Sequence, residues 1–266
     1  MKVLRGNGKA PDRVRDLSVD IMLEGEFEAT FTAGDNRAVI PTDTMKNLVY
    51  VLGRDHPLDS IESFAMFVAR HFVGNYPQVG QAAVTIHEHS WREIAVNGSP
   101  HGHSFIGVDG ESPCAAAIVT RRGAMLESGL DGLDILKTTD SSFSEFHRDK
   151  WTTLKDAPQR LLRTIVQGRW RWSSDALDFP AANQGIRTAL LETFAQHVSL
   201  SVQQTLCAMG QRAMDACRFI DRISLSLPNR HCNLVDLSPF GMDNPQLIFV
   251  PTDEPHGVIE ATIERR

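Results

Sequence analysis

The sequence predicts an α+β fold made of two tandem domains with a similar plan, and three observations carry that prediction. A long stretch near the N-terminus alternates apolar and polar residues with period two. Short amphipathic helices follow it, with apolar residues spaced by three and four. The same order of strand, helix and strand returns in the second half of the 266 residues.

From Leu17 to Phe31 the odd positions read Leu, Val, Ile, Leu, Gly, Phe, Ala, Phe, which predicts one long half-buried strand. Met45, Leu48, Val49 and Leu52 then fall at helical spacing, with Thr42 placed as a cap and Gly53 as a stop. A second helix is expected from Ser60 to about Val73, with Ile61, Phe64, Val68 and Phe72 on one side. Next comes a hairpin that turns around Asn97-Gly98. In the second half, "SPCAAAIVTRRGAMLESGLDGLDILKTT" alternates and turns, and a helical stretch is expected around Asp156 to Arg163. "TIVQGRWRW" reads as a strand. One long helix is expected from about Ala181 to Cys217, because Ile186, Leu190, Phe194, Val198, Val202, Leu206 and Met209 keep helical steps. Two strand-like segments, "RISLSLPNRHCNLVDL" and "QLIFVPTDEPHGVIEATIERR", close the chain. The predicted domains are residues 1–120 and 121–266.

Composition narrows the function. A formal net charge of -6 and a pI near 5.9 argue against a nucleic-acid partner, which needs a basic face. Cys114, Cys207, Cys217 and Cys232 form no CxxC pair and fit reduced thiols. The N-terminus has no apolar core of a secretory signal, no stretch approaches a membrane span, and "IERR" is not a peroxisomal address. A cytoplasmic enzyme without membrane contact is the expectation.

Two His-x-His pairs, His87/His89 and His101/His103, raise the question of zinc. With the hairpin turn centred between Gly98 and Ser99, His101 lies opposite Val96 and His103 opposite Ile94. Ile94 is itself five residues from His89, ~17 Å along a strand. The pairs are too far apart for one metal, so structural partners are expected for these histidines and no metal site is assigned. There is no GxGxxG after a strand, no GxxxxGK[ST] and no GxSxG. From these patterns alone the chain is a two-domain α+β protein without a stated chemistry.

Longer segments say more. "IPTDTMKN", "GLDILKTTDSSFSEFHRDKWTTLKDAPQR", "SLSVQQTLCAMGQ" and "LSLPNRHCNLVDL", in that order, together with "HGHSF" and "GVIEATIER", resemble the urate oxidase (uricase) family along nearly the whole chain. The resemblance implies the tunnel fold: two tandem T-fold domains, each an antiparallel sheet with helices on one face, assembling into a barrel-shaped homotetramer. It implies cofactor-free oxidation of urate by O2 and water to 5-hydroxyisourate and hydrogen peroxide. It also implies roles. Phe143 stacks on the purine, and Arg160 grips a carbonyl and a ring nitrogen with its planar fork. Gln203 pairs with the amide-like edge, and Val202 adds a backbone contact. Asn229 holds O2 or water above the ring, and His231 serves a proton relay. Thr42 and Asp43 reach the substrate across a subunit interface, with Thr42 also passing a proton. The alternatives are a non-catalytic purine-binding T-fold protein and a zinc-dependent T-fold enzyme acting on pterins. One departure stands out. The family's first strand carries a Gly-Lys whose lysine activates the threonine, well upstream of where Gly8-Lys9 falls here, 33 residues before Thr42. The expectation is that "GNGK" forms a hairpin turn, that Lys9 is a solvated turn residue, and that the chain starts late and lacks its base.

Overall fold

A computed structural model describes residues 1–5 and 13–265. The turn expected at Gly6–Lys9, and Lys9 itself, lie outside the described residues. The chain divides into two compact units, one of residues 1–130 with 170–180, the other of residues 131–169 with 181–266. The division falls inside two strands.

In the first unit, β1 (Lys2–Arg5) pairs antiparallel with the start of β2 (Arg13–Gly25), and β2 pairs with β3 (Val79–His89). The sheet continues through β6 (Ser112–Thr120) to β7 (Gly123–Lys137), in the order β1-β2-β3-β6-β7. The alternation of β2 is real, but it ends at Gly25 and does not reach Phe31. The register slips between Glu24 and Gly25, and a Cβ at Gly25 would sit 1.9 Å from the Gln78 carbonyl oxygen. Only glycine tolerates that approach. Past the bulge the chain coils into α1 (Glu28–Ala33), closed by Gly34 at φ 66. A period of two over three or four residues does not distinguish a strand end from one helical turn.

The helix α2 (Thr42–Asp55) and the helix α3 (Ile61–Asn75) occupy the places the spacing indicates. The cap of α2 is Pro41, however, and Thr42 is the first helical residue rather than the cap. Gly53 lies within the helix, and the Arg5 guanidinium binds the carbonyls of Gly53, Arg54 and His56 at 2.8, 2.9 and 3.0 Å. A cation on the last carbonyls is the electrostatically favoured end. Ser60 caps α3 through its side chain, which accepts the Ser63 N–H. The face of α3 that holds Phe64, Val68 and Phe72 is fully buried against β3 and β6. Burial of each such side chain contributes about 1.5–3 kcal/mol. Glu62, also buried, accepts the Ser128 hydroxyl at 2.5 Å, and the Trp172 indole N–H donates to Ser128 at 2.7 Å.

The hairpin of β4 (Trp91–Val96) and β5 (Ser99–Gly107) is a separate two-stranded ribbon. Its turn is Asn97-Gly98, both at positive φ, so Val96 faces Ser99, and a slip between Glu93 and Ala95 shifts the register further. The predicted register of His101 and His103 is thereby corrected. His101 and His103 lie with ring centroids 4.3 Å apart on this ribbon, His89 meets the Ser18 hydroxyl at 2.9 Å on β3, and His87 stands opposite Cys114 in the sheet.

The second unit carries the order β7-β8-β9-β12, with β8 (Leu162–Trp172), β9 (Ile220–Pro228) and β12 (Val258–Glu264). β10 (His231–Leu234) and β11 (Phe249–Thr252) form a small pair of their own. The helical stretch expected around Asp156 to Arg163 is not a helix. Residues 138–161 follow an irregular path and enter β8 at Leu162. The single long helix is also corrected: it is α4 (Phe179–Gln196) and α5 (Val202–Ala216), broken at residues 197–201. The apolar steps run through the break because Val198 and Leu200 are apolar yet exposed. Ser201 is what ends the pattern, since its side chain accepts the Gln204 N–H and starts a new helix. The buried face of α5, with Leu206, Met209 and Ala213, covers β9 and β12.

Candidate functional site

In the second unit, backbone pairing makes the break between α4 and α5 part of a site. The Ser199 N–H donates to the Asp140 carbonyl at 2.9 Å, and the Ser142 N–H donates to Ser199 at 2.8 Å. Phe143 and Ala157 exchange bonds of 2.8 and 2.9 Å, and the Arg160 N–H donates to Ser141 at 2.9 Å. The irregular segment is therefore a closed, tethered loop. Its outer turn is held by Arg148, which pairs with Asp156 at 3.0 Å and donates to the Leu154 carbonyl at 2.9 Å. Buried Lys137, at the end of β7, donates to the His197 carbonyl and fixes the start of the break. A loop with this many backbone bonds holds its side chains in place.

What it holds is a cavity of about 330 Å³, lined by Phe143 and Arg160 from the loop and by Asn229, Arg230, His231 and Cys232 from the junction of β9 and β10. Phe146 stacks on Phe143 with centroids 5.1 Å apart and planes 11° apart, which fixes the tilt of the Phe143 ring. The Arg160 guanidinium carbon lies 5.6 Å from the Phe143 centroid. Burial alone pushes the Arg160 guanidinium below its usual value, with no carboxylate to oppose it. Its Nε is buried without a hydrogen-bond partner. No aspartate or glutamate is among the residues that line the cavity, whereas Lys155, Arg160 and Arg230 are. A flat aromatic beside an unsatisfied guanidinium, in a cavity with an excess of cations, suits a planar anion with in-plane acceptors.

The junction is held as firmly as the loop. The Asn229 N–H donates to the Gly257 carbonyl at 2.8 Å, and the Arg230 N–H donates to the Arg163 carbonyl at 3.0 Å. His231 pairs with Thr252 across β10 and β11. Four predicted site residues, Phe143, Arg160, Asn229 and His231, thus meet at one cavity. Val202 and Gln203 are the first two residues of α5, just past the tether at Ser199. Val202 is buried and Gln203 is exposed. Sequence reading missed Arg230, Cys232, Gln159 and Phe249 as lining residues. Arg230 and Cys232 alternate with the predicted pair, and their neighbourhood in the motif was the available signal.

Thr42 and Asp43 lie in the first unit. Thr42 lines a pocket of about 290 Å³ with Val19, Asp20, Met45, Lys46 and Tyr50. The first N–H groups of an α-helix have no intrahelical partner, and at α2 Pro41 offers no side chain to cap them. The Asp43 carboxylate turns back along its own helix, to Lys46 at 2.6 Å and Asn47 at 3.0 Å. Lys46 beside it holds the Asp43 carboxyl below the usual carboxylate range.

Comparisons agree along the chain. The family model described as Uricase matches residues 1–117 and 126–260. The uricase of Arthrobacter globiformis is 39% identical over 265 residues, spanning 100% of this chain and 85% of the relative. That of Aspergillus flavus is 33% identical over 278 residues, spanning 99% and 92%. The crystal structure of the Arthrobacter globiformis uricase superimposes with a TM-score of 0.94 at 38% identity, covering 99% of this chain and 91% of that one. The urate oxidase of Bacillus sp. TB-90, at 23% identity and a TM-score of 0.86, shares the fold.

Proposed function

The chain belongs to the uricase family, and from that premise we propose how its residues carry out the oxidation of urate. The enzyme is an oxidoreductase that acts on urate. The reaction we assign is urate plus O2 plus H2O giving 5-hydroxyisourate plus H2O2, which balances in atoms and electrons. The observation that carries the reading is the carboxylate-free cavity where Phe143, Arg160, Asn229 and His231 meet.

Urate enters as a flat anion. It stacks on Phe143, whose ring Phe146 already orients. The buried Arg160 guanidinium, short of a partner, gives two parallel N–H donors to a carbonyl and the adjacent ring nitrogen. Gln203, at the start of α5, supplies one donor and one acceptor to the opposite amide-like edge. Asn229 holds O2 or water over the ring, and His231 relays the proton. Deprotonation makes the anion rich enough in electrons to reduce O2, so the protein's task is to orient, remove a proton and keep O2 in place. Thr42 and the main chain of Asp43 complete the site from a neighbouring subunit of a homotetramer. Uncapped N–H groups at the start of α2 favour that anionic partner.

The test is loss of urate absorbance with matching O2 uptake, with and without prior chelation. Turnover that survives thorough metal removal is the expected result. Abolished turnover after chelation would overturn the cofactor-free reading.

A further inference from the structure

The urate-site reading leaves two charged residues of the cavity lining without a task, the exposed Lys155 and the half-buried Arg230, and Arg230 is the one held in place. Arg230 stands between Asn229 and His231 and lines the same cavity. One edge of its guanidinium serves as a staple: Nη1 donates to the Asp253 carbonyl at 3.1 Å. The Asp253 carboxylate lies 3.8 Å away and is almost fully exposed, so water screens it. The other edge is not satisfied. Arg230 Nε is buried without a hydrogen-bond partner, as is the Nε of Arg160, which lines the same cavity. Asp134, the next carboxylate in the neighbourhood, is taken up by Arg163 at 2.6 Å. Two guanidinium groups beside a cavity whose lining holds no carboxylate bring more positive charge than a single two-pronged contact uses.

We propose that Arg230 is a specificity-determining residue of the urate site, which makes the cavity select anionic over neutral purines through its charge. The inference rests on the reading of this cavity as the urate site. Its chemistry differs from that of Arg160. Arg160 contributes the shape of its fork, which lysine cannot copy. Arg230 contributes a positive charge beside the ring, and a lysine ammonium supplies that equally well. The charge favours the bound anion over a neutral purine of the same outline. It favours the further-deprotonated form still more, so it helps the step that removes a proton.

The test is equilibrium binding without O2, with urate as the anionic probe and hypoxanthine as the neutral one, at pH 7.5. Arg230→Met is expected to weaken urate binding about tenfold, the effect of one partly screened charge, while hypoxanthine changes less than about twofold. Arg230→Lys is expected to restore urate binding to within about threefold of the parent protein. The salt dependence of urate affinity in the intact protein is a second reading, and it should be flatter in Arg230→Met. Equal losses for both purines would reduce Arg230 to a staple of the Asp253 segment and overturn the proposal. So would an unchanged urate affinity in Arg230→Met, or a lysine variant no better than methionine. A parent protein that neither binds nor consumes urate would instead refute the functional reading beneath it.

Discussion

Two helix starts carry the residues we propose for substrate binding, and they are built in opposite ways. At α5 the chain spends a serine on the cap: Ser201 takes the Gln204 N–H, and the Gln204 side chain takes the Leu200 N–H at 3.1 Å. The helix start is closed on itself and tied to the loop that bears Phe143 and Arg160. At α2 no side chain caps the helix, Pro41 stands where a cap would be, and the Asp43 carboxylate is turned away to Lys46. One start is sealed for stability and the other is left open. Both starts bear proposed substrate residues, so they differ in who satisfies the first N–H groups: a capping serine at α5, and no side chain at α2.

The sharpest way to break this comparison is to divide the work between subunits. Thr42→Ala chains and Arg160→Ala chains should each lose about 10²–10⁴-fold in activity alone, the range for a lost proton-transfer group or a lost anchor. Mixed and reassembled, they should regain a part of it, because some interfaces then hold one intact site. Activity assays on hybrids verified by mass read this directly. No recovery would mean that each site is built within one chain.

Next in size is Arg160→Lys. The loss of a charge-assisted bond costs roughly 1.5–3 kcal/mol, or about ten- to hundredfold in kcat/KM. The melting temperature should barely move, since the Arg160 Nε has no hydrogen-bond partner in the protein and a lysine keeps a cation near Phe143. An unchanged kcat/KM would remove Arg160 from the site.

The two starts should also separate stability from activity. Ser201→Ala should cost about 1 kcal/mol of unfolding free energy, the usual value of a lost N-cap. Thr42→Ala should cost less than about 0.5 kcal/mol, because Thr42 caps nothing. Chemical denaturation of both variants measures the difference. A larger loss at Thr42 would show that the α2 start is structural after all.

Much of this was readable from residues. The amphipathic spacing of α2 and α3 and the strand at "TIVQGRWRW" need only period and burial, and they came out in place, whereas the alternation expected from Leu17 to Phe31 holds only as far as Gly25. The site residues came from the family resemblance, and four of them share a cavity. What failed did so where local pattern and tertiary tether disagree. Val198 and Leu200 mimic helical continuity although both are exposed, and the bond from Ser199 to Asp140, 59 positions earlier, decides the break. The same distant bonds keep residues 138–161 irregular, and no window of neighbouring residues holds that information. Arg230 escaped because the motif drew attention to its two neighbours.

The smallest expected effect concerns the frame behind the junction. Arg163 donates to Asp134 through Nε at 3.0 Å and Nη2 at 2.6 Å, while its carbonyl accepts the Arg230 N–H. The Arg163 guanidinium, opposed only by modest burial, holds the Asp134 carboxyl below the usual carboxylate range. A carboxyl lowered in the folded state adds stability above its unfolded value, near 3.9, and loses it as the pH falls through the folded value. Both side chains are a third or more exposed, 33% and 43%, so screening reduces the gain to about 0.5 kcal/mol or less. Asp134→Asn should therefore lower stability slightly at pH 7, and the gap to the parent protein should close as the pH drops below about 4. Because the backbone bond from Arg230 to Arg163 does not depend on that charge, urate affinity should stay within about twofold. A stability gap that persists at low pH would mean that the pair acts by shape and hydrogen bonding. A large loss of urate affinity would mean that the junction is tuned by Asp134 and not merely backed by it.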